Sequence, residues 1–557
     1  MTTNKLVWKI GSEAGHGIAI AGTIFSKTCA RGGLNVLALT EYESLIRGGH
    51  NAMTIRVDEK PVLSASTKID ILVALNLQTL QLYENHVNPG GIIIYDIKIK
   101  IDKPRKDVTY EAIECEDKLF RNTMALGATF GVLKYDFDLL ESVIKDSFHD
   151  PEIIKKNISS AKKGYERANK IQTKYELKPV KNAKLTLLDG NQAISLGAIK
   201  AGLKFFAAYP MTPASGILHT LAQTQIKTGM LVIQPEDEIA AANMAIGASY
   251  AGVPAMTATS GGGFALMTET ISLSGMSEVP LTVVLAMRPA PATGMPTWTE
   301  QGDLQFAINS GHGDFPRAVI APGDNEEAFY EAANALNIAE KYQMPVILIT
   351  DKYLSESPRT VELDSDKIKL LLGKIETNPP SLELKTRYKR YLITKDGISP
   401  RTIPGTKNGL LISTSDEHDE YGQISENNTN RVKMMQKRMR KMETLLTEWP
   451  EPKIYGPKNS KITIVCWGST KGPAIEAAEQ LGANCIHFSY IYPMHPNAKK
   501  ILSEAKKLVL VESNYTGQFG KLIAQETGIL IDKKILKYDG TNFTSEELVQ
   551  RINEELK

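Results

Sequence analysis

The stretch KLVWKIGSEAGHGIAI, residues 5–20, joins an apolar-rich strand to a helix through a glycine-bearing turn. The strand is predicted over Lys5–Ile10, the turn over Gly11–Gly17, and the helix from Ile18 to about Arg31. Another strand pattern follows at Asn35–Leu39. Strands that alternate with helices are typical of a parallel sheet covered by helices. The sequence therefore predicts an α/β protein.

The glycines of this turn allow two interpretations. Backbone amides between a strand and a helix can hold a phosphate. The spacing of Gly11, Gly15 and Gly17, however, is not the Gly-x-Gly-x-x-Gly of a dinucleotide site, so close backbone packing is the favoured interpretation. A second glycine loop, Arg47–His50, faces the same end of the sheet and can form either a pocket or an interface.

The same alternation recurs along the chain, and 557 residues are enough for several cores. We expect doubly wound α/β domains over residues 1–180, 185–356 and 456–557, with a polar excursion over 357–455. The second domain is predicted to start with the strand Leu185–Leu188 and to contain the buried strand Leu281–Met287. The excursion contains Tyr388 and Tyr391, which favours an ordered segment that packs on a neighbouring domain.

The composition is typical of a soluble globular protein, with 42% hydrophobic and 23% charged residues. The 65 basic and 63 acidic residues leave a net charge of +2, which gives no electrostatic reason to expect nucleic-acid or membrane binding. The uncharged stretch 239–268 holds too many small and polar residues for a membrane span. We see no signal peptide and expect a cytoplasmic protein.

The four cysteines are Cys29, Cys115, Cys466 and Cys485, and none of them form the Cys-x-x-Cys spacing of metal and iron–sulfur sites. Cys29 and Cys466 lie in apolar runs and are predicted to be core residues. We therefore expect neither a metal site nor an iron–sulfur cluster in this chain.

The segment Tyr209–Ser215, YPMTPAS, places Thr212 between two prolines that restrict the backbone. One interpretation is that a helix begins near Pro213 with Thr212 as its N-cap. The other is that the Thr212 hydroxyl also faces a ligand, and the rigidity of the loop favours it.

Three further features could line the same site. Glu238 begins a helix of small residues, where a carboxylate is partly removed from water and can exchange a proton near neutral pH. Acids at a helix N-terminus are also favourable without a function. The loop Thr257–Gly263 combines hydroxyls with glycines, and Arg288 directly follows a buried strand, where it suits a carboxylate clamp.

Together these segments resemble the 2-oxoacid:ferredoxin oxidoreductases. YPMTPAS is similar to the family's Tyr-Pro-Ile-Thr-Pro signature, and EDEIAAANMAIGA, TSGGG and MRPAPATGMPTWTEQGD follow in the family's order. The first domain resembles the gamma domain, with SLIRGGH at 44–50, and the remainder resembles the alpha subunit down to VESNYTGQ at 511–518. The resemblance implies a fused gamma–alpha chain with a thiamine-diphosphate pyrimidine-type domain and a transketolase C-terminal-like domain.

The resemblance also implies roles for individual residues. Glu238 matches the glutamate that hydrogen-bonds the aminopyrimidine ring and favours the imino tautomer, which removes the thiazolium C2 proton. Thr212 matches the hydroxyl near the substrate carboxylate, and Arg288 matches the carboxylate clamp. The implied cofactor-binding residues are Tyr209, Pro210, Glu238, Thr259, Ser260 and Gly261.

The implied reaction is the oxidative decarboxylation of a 2-oxoacid to acyl-CoA and CO2, with coenzyme A as co-substrate and ferredoxin as acceptor. The sequence lacks the Gly-Asp-Gly motif that holds the diphosphate and Mg²⁺ in thiamine enzymes. A beta subunit is therefore expected to carry Mg²⁺ and a [4Fe-4S] cluster and to share thiamine diphosphate, in an αβ or (αβ)2 complex. The favoured substrate is 2-oxoglutarate, with pyruvate or a branched-chain 2-oxoacid as the alternative. A non-catalytic nucleotide-binding or assembly subunit is the hypothesis from another class.

Overall fold

A computed structural model of the chain describes residues 2–45, 48–181, 185–380 and 387–557. It divides into two compact units. The first comprises residues 1–189, 356–363 and 543–548, and the second comprises 190–355, 364–542 and 549–557. Both units contain mixed or mostly parallel sheets with helices between the strands, which confirms the predicted α/β fold class.

Within the described residues the strands, numbered along the chain, are β1 Thr2–Thr3, β2 Leu6–Glu13, β3 Asn35–Glu41, β4 His50–Asp58, β5 Ile69–Ala74, β6 Val87–Asp96, β7 Thr109–Ile113, β8 Tyr175–Glu176, β9 Thr186–Leu188, β10 Phe205–Ala207, β11 Leu231–Ile233, β12 Ala255–Thr259, β13 Leu281–Met287, β14 Ala318–Ile320, β15 Pro345–Asp351, β16 Arg359–Val361, β17 Lys453–Tyr455, β18 Thr463–Trp467, β19 Asn484–Phe488, β20 Tyr490–Tyr492, β21 Leu508–Glu512 and β22 Lys533–Leu536.

The α-helices of the same residues are α1 Ile18–Arg31, α2 Leu77–Tyr83, α3 Arg121–Val132, α4 Phe137–Ser147, α5 Pro151–Ala168, α6 Gly190–Lys200, α7 Ser215–Thr228, α8 Glu238–Tyr250, α9 Gly261–Leu266, α10 Thr268–Ser277, α11 Leu304–Asn309, α12 Asn325–Tyr342, α13 Lys352–Glu356, α14 Asn428–Leu446, α15 Lys471–Leu481, α16 Ala498–Ser503, α17 Gln518–Thr527 and α18 Ser545–Glu555. No helix in the described part of the chain combines the length and apolar character that crossing a membrane requires.

The first unit is built on a sheet with the order β7-β6-β5-β2-β4-β3-β16-β9. Strands β7, β6, β5 and β2 run parallel, and β4 runs antiparallel to β2 and β3. The helix predicted after the glycine turn is α1, and its Phe25 stacks on Trp8 of β2 with ring centroids 4.3 Å apart. Burial of two large aromatic side chains at this contact fixes the helix on the sheet.

The glycine turn is explained by backbone geometry. Gly15 and Gly17 have positive φ values of 84° and 71°, which favour glycine. A Cβ added at Gly11 would lie 2.8 Å from the side chain of Thr79 in α2, so the strand and that helix approach closely here. In the second glycine loop Arg47 lies outside the described residues, and Gly48 and Gly49 also have positive φ.

The strand predicted at Leu185–Leu188 exists as β9, but it does not belong to the second unit as predicted. It pairs antiparallel with β16, which in turn pairs with β3 of the first sheet. The interpretation failed because the pattern of a short strand does not indicate which sheet accepts its hydrogen bonds. The C-terminal region likewise departs from the expected division, since residues 543–548 fall in the first unit.

The second unit contains two sheets. The larger has the order β11-β10-β12-β13-β15-β14-β20, parallel except for β20 at one edge. The smaller has the order β17-β19-β18-β21-β22, parallel except for β17. The sequence predicted the buried strand at Leu281–Met287, and β13 has these bounds.

The polar excursion is ordered over its described residues, as predicted. Tyr391 is fully buried, and the basic stretch 431–446, whose sequence predicts a helix, lies in α14, Asn428–Leu446. Lys437 and Lys441 of α14 each place Nζ 2.6 Å from a carboxylate oxygen of Glu278, which follows α10. All three side chains are fully buried, so this ion-pair cluster attaches the excursion to the rest of the second unit.

Candidate active site

The predicted site residues lie at one edge of the larger sheet. Strands β11, β10, β12 and β13 are neighbours and parallel, so their carboxyl ends lie together. Tyr209–Pro213 follows β10, Glu238 follows β11, Ser260 follows β12, and Arg288 follows β13. The sheet order thus brings together side chains that are far apart in the sequence.

Glu238 is the first residue of α8 and is only 4% exposed. The helix is capped by its neighbour Asp237, which accepts a hydrogen bond from the Ala240 amide at 2.8 Å. Among the described residues, Oε1 of Glu238 has no hydrogen-bond partner. A buried carboxylate oxygen without a partner is unfavourable, and a polar ligand at this point would satisfy it.

Gly263 of α9 faces Glu238 and Thr259. A Cβ added at Gly263 would lie 2.4 Å from Oε1 of Glu238 and 2.1 Å from Oγ1 of Thr259. The glycine of the Thr-Ser-Gly-Gly-Gly segment therefore lets two polar side chains approach the start of α9. Ser260, which precedes that helix, is fully buried.

Thr212 is not a helix cap, so this sequence-based interpretation is wrong. Helix α7 begins at Ser215 after Ala214, and no side chain among the described residues caps its N-terminus. The carbonyl of Pro213 instead accepts a hydrogen bond from Nδ2 of Asn191 at 2.8 Å, which holds the loop before the helix starts. Tyr209, at the beginning of the loop, is 39% exposed.

Arg288 reaches this loop directly. Its Nη1 donates a hydrogen bond to the carbonyl oxygen of Thr212 at 2.6 Å. The residue is 9% exposed, and its Nε has no partner among the described residues. Burial lowers the pKa of Arg288, whereas Asp303 acts in the opposite direction. A buried guanidinium with an unused donor is suited to bind a carboxylate.

Asp303 and Glu300 were not identified as site residues from the sequence. A Cβ added at Gly261 would lie 2.7 Å from Oδ2 of Asp303, so this carboxylate borders the start of α9. Burial raises the pKa of Asp303 to about 6, although Arg288 opposes the shift. Burial and then repulsion from Asp303 raise the pKa of Glu300 to about 7. The sequence signal that could have identified them is a pair of acids three residues apart after a proline-rich loop.

Among the described residues, six polar atoms that are buried without a partner lie at the start of α8, in β12 and in the segments that follow β12 and β13. Such atoms are uncommon in folded proteins unless water, an ion or a ligand satisfies them. They are Glu238 Oε1, Thr257 Oγ1, Ser260 Oγ, Arg288 Nε, Thr297 Oγ1 and Asp303 Oδ2. This donor and acceptor set fits a polar, partly anionic ligand with ring nitrogens or a carboxylate.

Comparisons with known proteins match both the N-terminal and the later part of the chain to ferredoxin-dependent oxidoreductases. Residues 196–438 match a family described as pyruvate flavodoxin/ferredoxin oxidoreductase, thiamine diphosphate-binding, and residues 7–167 match the pyruvate ferredoxin/flavodoxin oxidoreductase family. The chain is 34% identical to a 2-oxoacid:ferredoxin oxidoreductase subunit alpha of Saccharolobus solfataricus, over 98% of this chain and 97% of that protein. It is 27% identical to the 2-oxoglutarate oxidoreductase subunit KorA of Mycobacterium tuberculosis, over 98% and 90%.

A solved structure matches over the full length. It is the 2-oxoglutarate:ferredoxin oxidoreductase from Magnetococcus marinus with 2-oxoglutarate, coenzyme A and succinyl-CoA bound. The TM-score is 0.92 at 31% identity, and the match covers 100% of both chains.

Proposed function

Because the chain belongs to the 2-oxoacid:ferredoxin oxidoreductase family, we propose that it is a fused gamma–alpha subunit of such an enzyme. The reaction takes a 2-oxoacid, coenzyme A and oxidised ferredoxin to acyl-CoA, CO2 and reduced ferredoxin. The two family matches, one at 7–167 and the other at 196–438, support the fusion of a gamma part with an alpha part.

The proposal assigns Glu238 to the aminopyrimidine ring of thiamine diphosphate. The observation that carries it is the buried Oε1 of Glu238 opposite Gly263, which has no hydrogen-bond partner in the described part of the chain. When bound, thiamine diphosphate supplies a carbon nucleophile for the keto group and stabilises the charge left by the loss of CO2. Glu238 holds or moves a proton at a ring nitrogen, and Tyr209, Pro210, Thr259, Ser260 and Gly261 would line the ring.

Arg288 and Thr212 are proposed to receive the 2-oxoacid. Nε of Arg288 is a buried donor that no described residue binds and is available to the substrate carboxylate, while Nη1 is already held by the Thr212 carbonyl. That second contact fixes the guanidinium, so less conformational freedom is lost when substrate binds. Thr212 contributes its hydroxyl from a loop that Asn191 holds in place through Pro213.

We place Mg²⁺ and a [4Fe-4S] cluster in a partner beta subunit that also shares the thiamine diphosphate. The absence of a Gly-Asp-Gly motif and of Cys-x-x-Cys spacing in the sequence supports this division.

A further observation that supports a partner subunit is the outer face of α8, which begins at Glu238 and exposes Ile239 and Met244. A Cβ at Gly247, which is also exposed in this helix, would meet no described atom within 4 Å, so the surface has room for a partner. The complex would be αβ or (αβ)2.

The proposed substrate is 2-oxoglutarate. The M. marinus enzyme and the M. tuberculosis subunit, both named for 2-oxoglutarate, match nearly the whole chain. The S. solfataricus relative carries only the broader 2-oxoacid name, so pyruvate and branched-chain 2-oxoacids are the alternative substrates. The test is to measure the rate of ferredoxin reduction by the purified complex with coenzyme A and each of these 2-oxoacids. We expect the highest kcat/KM with 2-oxoglutarate.

Replacement of Glu238 by alanine tests the assignment. We expect ferredoxin reduction to fall by about two to four orders of magnitude, the usual contribution of a positioned acid–base group, while the complex still assembles. Glu236→Ala is the matched control, because Glu236 is an exposed acid in the same connection between β11 and α8. Full activity of Glu238→Ala would contradict the proposal and favour a non-catalytic assembly subunit.

A further inference from the structure

The segment between Arg288 and Asp303 returns to the strand from which it departs. Arg288 directly follows Met287, the last residue of β13, and the backbone amide of Asp303 lies 3.5 Å from Sδ of that same methionine. Asp303 is therefore next to the proposed carboxylate clamp, although fifteen positions separate it from Arg288 in the sequence. Both residues are buried.

Glu300 is held in this segment by its two neighbours. Oγ1 of Thr299 donates to Oδ1 of Asp351 at 3.2 Å and accepts from the Tyr353 amide at 3.1 Å. Gln301 donates through Nε2 to the Trp467 carbonyl at 2.9 Å and accepts from the Ser513 amide at 3.0 Å. The backbone on both sides of the half-buried Glu300 is therefore anchored in this segment.

The three charged groups do not neutralise one another by direct contact. Oδ2 of Asp303 and Nε of Arg288 each lack a hydrogen-bond partner in the described part of the chain. With Arg288, Asp303 and Glu300 all ionised, this group carries a net charge of −1 before any substrate arrives. The carboxylate of a 2-oxoacid adds another negative charge in a place where water is scarce, and there like charges raise one another's pKa.

We propose that Glu300 and Asp303 form an acid pair that takes up a proton when the carboxylate of a 2-oxoacid binds at Arg288. This role rests on the proposed function of the site. By binding a proton, the pair makes the net charge around Arg288 less negative, and it does not react with the substrate. Its consequence is that the affinity of the enzyme for 2-oxoacids falls as the pH rises.

The pH range over which substrate affinity changes depends on the charged groups near the pair. Arg288 lies after β13, Glu300 and Asp303 share one segment, and Glu238 of α8 is a third acid at the start of α9. In the free site the pKa of Asp303 is about 6 and that of Glu300 about 7, each raised mainly by burial. Substrate raises both values, so affinity is constant only below the pKa of Asp303, where both acids are already protonated in the free site. Above about pH 7 it falls by up to about tenfold per pH unit, the limit for one linked proton.

The direct test is calorimetric titration of the complex loaded with thiamine diphosphate and Mg²⁺. The ligand is the unreactive 2-hydroxy analogue of the best 2-oxoacid, used at pH 7.5 in buffers of different ionisation enthalpy. We expect close to one proton to be taken up per ligand bound. In the double variant Asp303→Asn, Glu300→Gln we expect little or none. Glu269→Gln, a change at an exposed acid in α10, should behave like the unaltered enzyme.

The steady-state rates give a second readout. For the unaltered enzyme we expect KM for the 2-oxoacid to rise by up to about tenfold between pH 7 and 8 with little change in kcat, since tenfold is the limit for one linked proton. In the double variant KM should be flat over this range. Ligand binding without proton uptake in the unaltered enzyme would overturn the acid-pair inference alone. Failure of every 2-oxoacid and analogue to bind would instead overturn the proposed function.

Discussion

At the scale of single residues, the site depends on one glycine. Gly263 leaves the space into which the side chains of Glu238 and Thr259 project from two different elements. The neighbouring Gly262 has no such role, because a Cβ there would meet nothing within 4 Å. Adjacent glycines in one motif therefore carry different constraints.

Gly263→Ala should displace Glu238 or the start of α9. We expect it to weaken thiamine diphosphate binding strongly and to cost about 1–3 kcal/mol of stability, as is usual for overpacking. Gly262→Ala is the control and should be neutral or slightly stabilising, since alanine favours a helix by about 0.5–1 kcal/mol over glycine. Titration of the cofactor and thermal unfolding of both variants measure these effects, and equal behaviour of the two would contradict the account.

The sequence predicted some of these residues and not others. Glu238 was identified because it begins a helix of small residues, and Arg288 because it directly follows a buried strand, whose end can be read from a hydrophobic run. The capping role predicted for Thr212 failed because the helix starts only at Ser215. Asp303 was missed because its position beside Gly261 depends on the path of an irregular segment that has no repeating pattern.

At the scale of elements, α14 shows what periodicity can and cannot predict. Its basic sequence predicts a helix, and the structure has a helix there. The burial of Lys437 and Lys441 could not be predicted, because it requires Glu278 from a distant part of the chain. The short strands β9 and β16 have the same limitation, since their pairing partners are set by tertiary structure.

Glu278→Gln should weaken the packing of α14 on the rest of the second unit and lower the stability of the protein. The change leaves two buried ammonium groups without a counter-charge, and the loss of one partner from a buried ion pair costs about 3–5 kcal/mol. We expect the melting temperature of the chain to fall by several degrees. Glu443→Gln, at an exposed acid of α14 itself, is the control and should leave it unchanged. An unchanged melting temperature for Glu278→Gln would show that the cluster does not stabilise the excursion.

At the scale of the whole molecule, length and alternation were sufficient to predict an α/β fold with several sheets, but the predicted second and third domains fall mostly within one unit. They could not predict that residues 356–363 and 543–548 return to the first unit. The predicted burial of two cysteines, in contrast, agrees with the structure. Cys29 and Cys466 are fully buried, as expected, and Cys485 lies beside Cys466 with the two sulfurs 3.5 Å apart.

The proposed division between subunits predicts the properties of the isolated chain. Purified alone, it should be colourless and inactive, and addition of the beta subunit should restore both visible absorption and ferredoxin reduction. Absorption spectra and iron content of the chain before and after mixing provide the measurement. A brown isolated chain with its own iron would contradict the placement of the cluster in the partner.

The position of β16 also affects the order in which the protein can fold during synthesis. β16 lies between β3 and β9, so without it β9 has no neighbour in the first sheet. A ribosome reaches Val361 only after every strand from β10 to β15 has been made. Domains generally fold from the N-terminus as they emerge, but here the first unit must keep one sheet edge open while much of the second unit is translated.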